Sequence, residues 1–289
     1  KVCTPWQGVL GHLGEMRSPT QYPLAKDIVR WQGEPVAVVI ANKRAVAEDA
    51  SELVEIDYED LDAQLDMETA MDKSTKVIHD DLGNNLFWTR TVNQGDVSEA
   101  FKQSHIVEEV TLDFARHTGV TLETRAIVAD WDSSEEKMTV YHNGQAPHMM
   151  QSIIAKHLNL SEGLVRIISC DVGGSFGIKV HVYPDEMVTV AVSKLLKRPV
   201  KFVADRLESY STDIHSRCHK ILGKIGVDDK GKILAFEIDD LSGIGPFSVY
   251  PRTSAIETNQ VLNLSAASYV VPNYKAKGTV VFQNKTPMC

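Results

Sequence analysis

The sequence predicts an α+β protein in two parts, and three observations carry that prediction. Most apolar runs alternate with period two, as half-buried strands do, and a tight turn at Asp228-Asp229-Lys230-Gly231 joins two of them as a hairpin. Helical periodicity is confined to a few stretches. The best covers residues 185–196, where Met187, Val188, Val190, Ala191, Val192 and Leu195 make a broad apolar face. A strand–helix–strand pattern over residues 27–58 stands apart from the rest, across a polar connector at 61–85. The 289 residues suffice for one or two domains with sizeable cores, and the predicted division is 1–62, a linker at 63–84, and 85–289.

In the first part, Gly33-Glu34-Pro35 turns the chain into a β-rich run from Val36 to Ile40. From Lys43 to Leu53 the residues Val46, Ala47, Ala50 and Leu53 fall at helical spacing, and Val54, Ile56 and Tyr58 then share one face of a strand. Within the connector a short helical patch is predicted near Met67–Met71. Gly95-Asp96-Val97 opens a short helix with Asp96 as N-cap. Strands are predicted in 105–114, 124–131, 137–144 and 164–172, with a helix over 146–158 that starts at Pro147, where a missing N–H does no harm. After the 185–196 helix, strands are predicted in 199–205, 221–229, 232–240, 268–271 and 279–284.

A net charge of -9 argues against nucleic acid or an anionic membrane surface as partner. No apolar run reaches the roughly 18 residues of a membrane span, and no signal segment opens the chain. Cys3, Cys170, Cys218 and Cys289 are far apart, which predicts separate thiols in a reducing, cytoplasmic compartment and no cysteine-built metal or iron–sulfur site. Lys1 is not an initiator Met, and Thr286-Pro287-Met288-Cys289 directly follows a strand-like run, so a truncated polypeptide is expected.

The most suggestive local feature is Val172-Gly173-Gly174-Ser175-Phe176-Gly177-Ile178-Lys179, read as a glycine-rich turn between a strand and a helix. Glycines let the main chain approach a ligand and aim N–H groups at an anion or oxo group, although such a turn is also ordinary connecting structure and matches no phosphate-binding motif. Phe176 is an unusual intrusion unless it packs on something. Glu123, at the start of an apolar strand, reads either as a carboxylate paired with Arg125 or Arg116, or as a pocket carboxylate of shifted pKa. His117 is a pocket wall or an exposed loop residue. Gln145, between strand and helix, presents its amide to a ligand or caps the helix, and capping is favoured. His215-Ser216-Arg217-Cys218-His219 imitates a metal-ligand spacing but lacks a nearby third ligand, so no metal site is assigned. The fork of donors on Arg217 suits a clamp on a carbonyl or carboxylate.

Taken in order, these pieces resemble one family. Residues 23–61, PLAKDIVRWQGEPVAVVIANKRAVAEDASELVEIDYEDL, resemble the end of the α/β-hammerhead domain of the molybdenum hydroxylases, the xanthine dehydrogenase/aldehyde oxidase family. QGDVSEAF, TLETRAIVAD, GQAPHMMQ, VGGSFGIK and RPVKFVADRLESYSTDIHSR then follow in the order of that family's first molybdopterin-binding domain. The VGGSFG and YSTDIHSRC stretches also resemble the group that includes carbon monoxide dehydrogenase large subunits.

The resemblance implies a catalytic subunit that carries a molybdenum-pyranopterin, with or without a cytosine dinucleotide extension. It would hydroxylate an aldehyde or N-heterocycle with water-derived oxygen and pass two electrons to iron–sulfur and flavin (FAD) partner subunits. It also implies that Gly173, Gly174, Ser175, Phe176 and Gly177 line the cofactor, with Gln145 as a pterin-side contact. Glu123 would orient substrate, and Arg217 falls near a substrate-orienting Arg, about one residue out of step. The family's second cofactor-binding domain, its Arg/Gly-rich loop and its late general-base Glu are not in the sequence, nor is the start of the hammerhead domain. A polypeptide of this extent is therefore expected to hold one wall of the cofactor cleft and to need a second molybdopterin chain or further sequence. The competing reading is a catalytically inactive fragment or scaffold relative that binds no molybdenum.

Overall fold

A computed structural model describes residues 2–289. Among the described residues nine strands and six α-helices alternate irregularly, as an α+β protein requires. The strands are β1 (Leu86–Gln94), β2 (Ile106–Phe114), β3 (Ala126–Asp132), β4 (Lys137–His142), β5 (Val165–Ile168), β6 (Val200–Val203), β7 (His219–Val227), β8 (Ile233–Ile244) and β9 (Asn273–Phe282). The helices are α1 (Arg44–Ser51), α2 (Val97–Lys102), α3 (Pro147–His157), α4 (Pro184–Leu196), α5 (Arg206–Thr212) and α6 (Ile256–Leu264). The chain forms two compact units, each assembled from separate stretches of sequence.

The first unit comprises the N-terminal residues to Trp6, Thr20–Asp62 and Gly119–Asp213. Its sheet has four strands in the order β5-β4-β3-β6, antiparallel except for the parallel β4–β5 pair. Alternation decides which face of β3 is buried: Ile127, Ala129 and Trp131 point inward, and Met138 and Val140 of β4 do the same. Helix α4 packs on β3 and β6, and α3 on β5, through Met150, Ile153, Ile154, Met187 and Val190. Pro147 and Pro184 each open their helix, where no N–H is needed. Helix α5 has a full capping box, Asp205 with Glu208.

The second unit comprises Gln7–Pro19, Ala63–Thr118 and Ile214–Cys289. Its five-stranded sheet runs β1-β9-β8-β7-β2, with β8 and β9 parallel and every other neighbouring pair antiparallel. Helix α6 lies on β1, β8 and β9 over a core that includes Phe87, Trp88, Ile238, Ile244, Leu262, Val280 and Phe282. Asp96 caps α2 by accepting from the Glu99 amide. Asp228 closes the β7–β8 hairpin by accepting from the Lys230 and Lys232 amides, with Gly231 at φ +79°. Strand β2 is an edge, and all nine of its residues are exposed.

Four expectations are corrected. Residues 36–40 and 54–58 form no strand, although α1 lies between them as predicted. A strand requires a ladder partner, and among the described residues nothing pairs with them; Val38, Ile40, Val54, Ile56 and Tyr58 stay exposed. Residues 67–71 form successive turns rather than a helix, and 268–271 form a turn after α6 rather than a strand, with Val270 82% exposed. The helix predicted at 185–196 is present as α4, but the glycine loop does not lead directly into it. A 3-10 turn at Ile178–Val180 intervenes, and α4 begins only at Pro184, so the loop's N–H groups do not sit at a helix N-terminus.

Candidate functional site

The glycine loop leaves β5 after Ile168 and makes three left-handed steps: Gly174 at φ +98°, Phe176 at +52° and Gly177 at +90°. For a phenylalanine that conformation is costly and persists only if the surroundings impose it. Phe176 is nevertheless 78% exposed; its ring lies against Gly174, and its Cβ against Gly119, where an added Cβ would sit 3.1 Å away in each case. The intrusion is thus packed on one side and open on the other. Among the described residues no atom accepts from the amides of Gly174, Ser175, Phe176 and Gly177, and nothing lies within 4 Å of where a Gly177 Cβ would be. Four consecutive amide donors are thus unengaged among the described residues, in a segment that is exposed or partly exposed throughout.

Both ends of this run are tied down within the first unit. At the start, Glu123 Oε2 accepts from the Gly173 amide at 2.8 Å, while the Glu123 amide donates to the Gly173 carbonyl at 3.1 Å. The backbones approach so closely that a Cβ on Gly173 would lie 2.5 Å from the Glu123 Cβ, which only glycine permits. At the far end, Lys179 is buried, and its Nζ donates to the same Glu123 Oε2 at 2.8 Å. Burial alone would raise the Glu123 pKa, but the Lys179 and Gly173 hydrogen bonds outweigh it and hold the carboxyl below its usual range. Glu123 is a paired carboxylate, then, but its partner is neither Arg125 nor Arg116.

Gln145 joins the same cluster from the loop between β4 and α3. Its amide N–H donates to the Lys179 carbonyl at 3.1 Å, and its side-chain Oε1 accepts from the Ser175 hydroxyl. Ser175 Oγ in turn accepts from the Lys179 amide at 3.1 Å. Gln145 does not cap α3, whose N-cap Ala146 makes no side-chain hydrogen bond. With its oxygen engaged, the exposed Gln145 side chain presents the NH2 end of its amide. Glu123, Gln145 and Gly173–Gly177 are thereby brought together.

Arg217 belongs to the second unit, at φ +66°. Its Nη1 donates to Glu257 Oε1 at 2.6 Å and its amide to Glu257 Oε2 at 2.9 Å, so part of the predicted clamp is committed to a carboxylate of its own chain. The same Glu257 faces His219, whose Nδ1 is 2.8 Å from Asp240. Burial would lower the His219 pKa, but its bonds to Asp240 and Glu257 prevail and raise it to about 9. Glu257 is held below its usual range, because His219 and Arg217 overcome the effect of its own burial. His117 is an exposed loop residue that bridges Ser216 through paired backbone hydrogen bonds.

The largest polar feature was not anticipated. Arg125, with no exposed surface, binds Asp185 through both terminal nitrogens at 2.7 and 2.8 Å and Asp213 through Nε at 2.7 Å. Glu186 lies 3.4 Å away, and the guanidinium stacks 3.6 Å over the Tyr183 ring. Burial opposes its charge, yet the acids raise the Arg125 pKa well above normal. The signal in the sequence was an Arg at the start of an apolar strand segment, which has to find acids when it is buried.

Residues 78–289 match the family model for the molybdopterin cofactor-binding domain, and residues 7–62 match that for the aldehyde oxidase and xanthine dehydrogenase a/b hammerhead domain. The nicotine 6-hydroxylase large subunit of Paenarthrobacter nicotinovorans is 33% identical over 273 residues, 92% of this chain and 32% of that protein. The carbon monoxide dehydrogenase large chain of Hydrogenophaga pseudoflava is 28% identical over 277 residues, 91% of this chain and 34% of that one. Among solved structures, quinoline 2-oxidoreductase from Pseudomonas putida 86 superposes with a TM-score of 0.90 at 26% identity, covering 98% of this chain and 37% of that one. The chain thus spans about a third of the length of these relatives.

Proposed function

Since this chain belongs to the aldehyde oxidase and xanthine dehydrogenase family of molybdenum hydroxylases, as a hammerhead segment followed by a molybdopterin-binding domain, we propose that it supplies one wall of a molybdenum-cofactor site. The observation that carries this reading is the run of four unengaged amides from Gly174 to Gly177, opened by left-handed steps and flanked by the Gln145 amide. Oriented N–H donors without an acceptor fit the oxygen and phosphate-bearing atoms of a molybdenum-pyranopterin. Gln145, Gly173, Gly174, Ser175, Phe176 and Gly177 would hold the cofactor, and it would supply two-electron oxidation with oxygen taken from water. The division into residues 1–62, 63–84 and 85–289 is part of the same proposal.

The substrate class we favour is an N-heteroaromatic ring or an aldehyde. Relatives named for nicotine, nicotinate and quinoline support the first, as does the open face of Phe176, over which a flat ring can stack. The loop amides would fix the cofactor from this side. Glu123, whose Oε2 holds both the Gly173 amide and the Lys179 ammonium, is assigned to positioning the loop rather than to proton transfer. Arg217 retains free donors on its exposed side and is proposed as an orienting contact for a carbonyl or carboxylate. Iron–sulfur and flavin chains are the proposed electron-accepting partners; one relative is named as a subunit of a dehydrogenase complex. No helix among the described residues is long and apolar enough to cross a membrane.

Metal and pterin analysis of the full-length protein, purified with any subunits that accompany it, tests the proposal. About one molybdenum and one dithiolene pterin per chain is the expected result. Absence of both, in a host that loads other molybdoenzymes, would overturn it.

A further inference from the structure

We propose that Lys179 and Glu123 act as positioning residues: their ion pair is the buckle that holds the amides of Gly174–Gly177 in the arrangement a ligand meets. This rests on the reading of the loop as a cofactor wall, and it gives Glu123 a role through the loop rather than on the substrate.

Three structural features support this role. One carboxylate oxygen, Glu123 Oε2, takes both the first amide of the loop and the ammonium that follows its last glycine, each at 2.8 Å. The loop is thus closed by one atom from a third segment. Lys179 is buried, with 1% of its side chain exposed, and among the described residues its ammonium hydrogen-bonds Glu123 alone. A buried charge with one partner cannot leave that partner cheaply, so the far end of the loop is pinned wherever Glu123 is. Finally, the Lys179 backbone is fixed from both sides, its carbonyl by the Gln145 amide and its own amide by Ser175 Oγ. Between these anchors the four amides donate to no atom among the described residues. Ser175 ties the loop to Gln145, Ile178 and Lys179 through its hydroxyl and carbonyl, so the direction of the four amides depends on where the buckle holds the two ends.

The exposed Phe176 supplies the probe, since chymotrypsin cuts after an aromatic residue only when the segment around it can adapt to the protease. The full-length protein is digested under native conditions as wild type, Lys179→Met, Glu123→Gln and the double variant, and the 176/177 cut is followed by mass spectrometry. Cutting after Tyr269, a 70% exposed residue of the other unit, serves as internal reference. The expected result is faster loop cleavage, on the order of tenfold, in each single variant, no further gain in the double variant, and an unchanged Tyr269 rate. Unchanged loop cleavage in Lys179→Met overturns the proposal. So do effects that multiply in the double variant, or equal acceleration at Tyr269, since these indicate independent residues or general loosening. In molybdenum-loaded protein, Lys179→Met should shift the molybdenum EPR spectrum at unchanged metal stoichiometry, and an unshifted spectrum would cut the link to the cofactor. If even the wild type holds no molybdenum, the cofactor reading fails while the cleavage result still decides the buckle.

Discussion

Replacing His219 with Gln should remove a part of the stability of the five-stranded unit that depends on pH, and the size of that part follows from the surroundings. His219 is buried between Asp240 and Glu257; Arg217 is the other cation on Glu257, and the thiol of Cys289 also lies within that carboxylate's field. Its pKa rises from an ordinary 6.5 to about 9, so the folded state binds the proton more tightly than the unfolded chain does. The contribution is therefore fully present below about pH 6.5 and is lost as pH rises through 9. Linkage gives about 3 kcal/mol at pH 6, about 2.5 at pH 7 and less than about 0.5 at pH 9. Urea unfolding of wild type and His219→Gln at those three pH values measures the difference directly, and groups that titrate identically in both proteins cancel. A stability difference that stays constant from pH 6 to pH 9 would refute the reasoning. It would mean that the imidazole is neutral in the fold and acts only as a hydrogen-bonding spacer.

Arg125→Met should unfold the first unit or cost about 3–5 kcal/mol in a denaturant titration, because Asp185, Glu186 and Asp213 then face one another without their cation. Adding a methyl group with Gly173→Ala puts a Cβ 2.5 Å from that of Glu123; a loss of about 1–3 kcal/mol, with faster proteolysis after Phe176, is expected. Val110→Lys, in the middle of the exposed edge strand β2, should reduce concentration-dependent association in sedimentation and leave the unfolding midpoint within about 0.5 kcal/mol of wild type.

Much of the fold, in both units, was legible in the sequence. Strands β2, β3 and β4, helices α3 and α4, the Asp96 cap and the Asp228–Gly231 hairpin all depend on near neighbours in the chain, and their signals are local. Helices α5 and α6 were missed although α5 carries a complete capping box, Asp205 with Glu208; it is short, and its apolar positions do not form a stripe. The alternating segments at 36–40 and 54–58 misled for the opposite reason. Alternation records the period of the side chains but says nothing about whether a neighbouring strand is present to complete the ladder.

The candidate site divides along the same line. Sequence alone marked a glycine-rich segment at 173–177 as able to approach a ligand or serve as an ordinary turn, left Gln145 between capping and ligand contact, and left Glu123 between a paired and a pocket carboxylate. Only the tertiary structure decided which. Lys179, six residues beyond Gly173 in the chain, turns back to reach Glu123 some fifty residues earlier, and Arg125, two residues from Glu123, turns away to acids on α4 and beyond α5. Charge partners are chosen by where the packed backbone delivers them. In a strand, moreover, residues two apart share a face only while the strand is regular, and Glu123 precedes β3. Local physics sets what each segment can form, whereas the burial of Lys179 and Arg125 sets which carboxylate each must find.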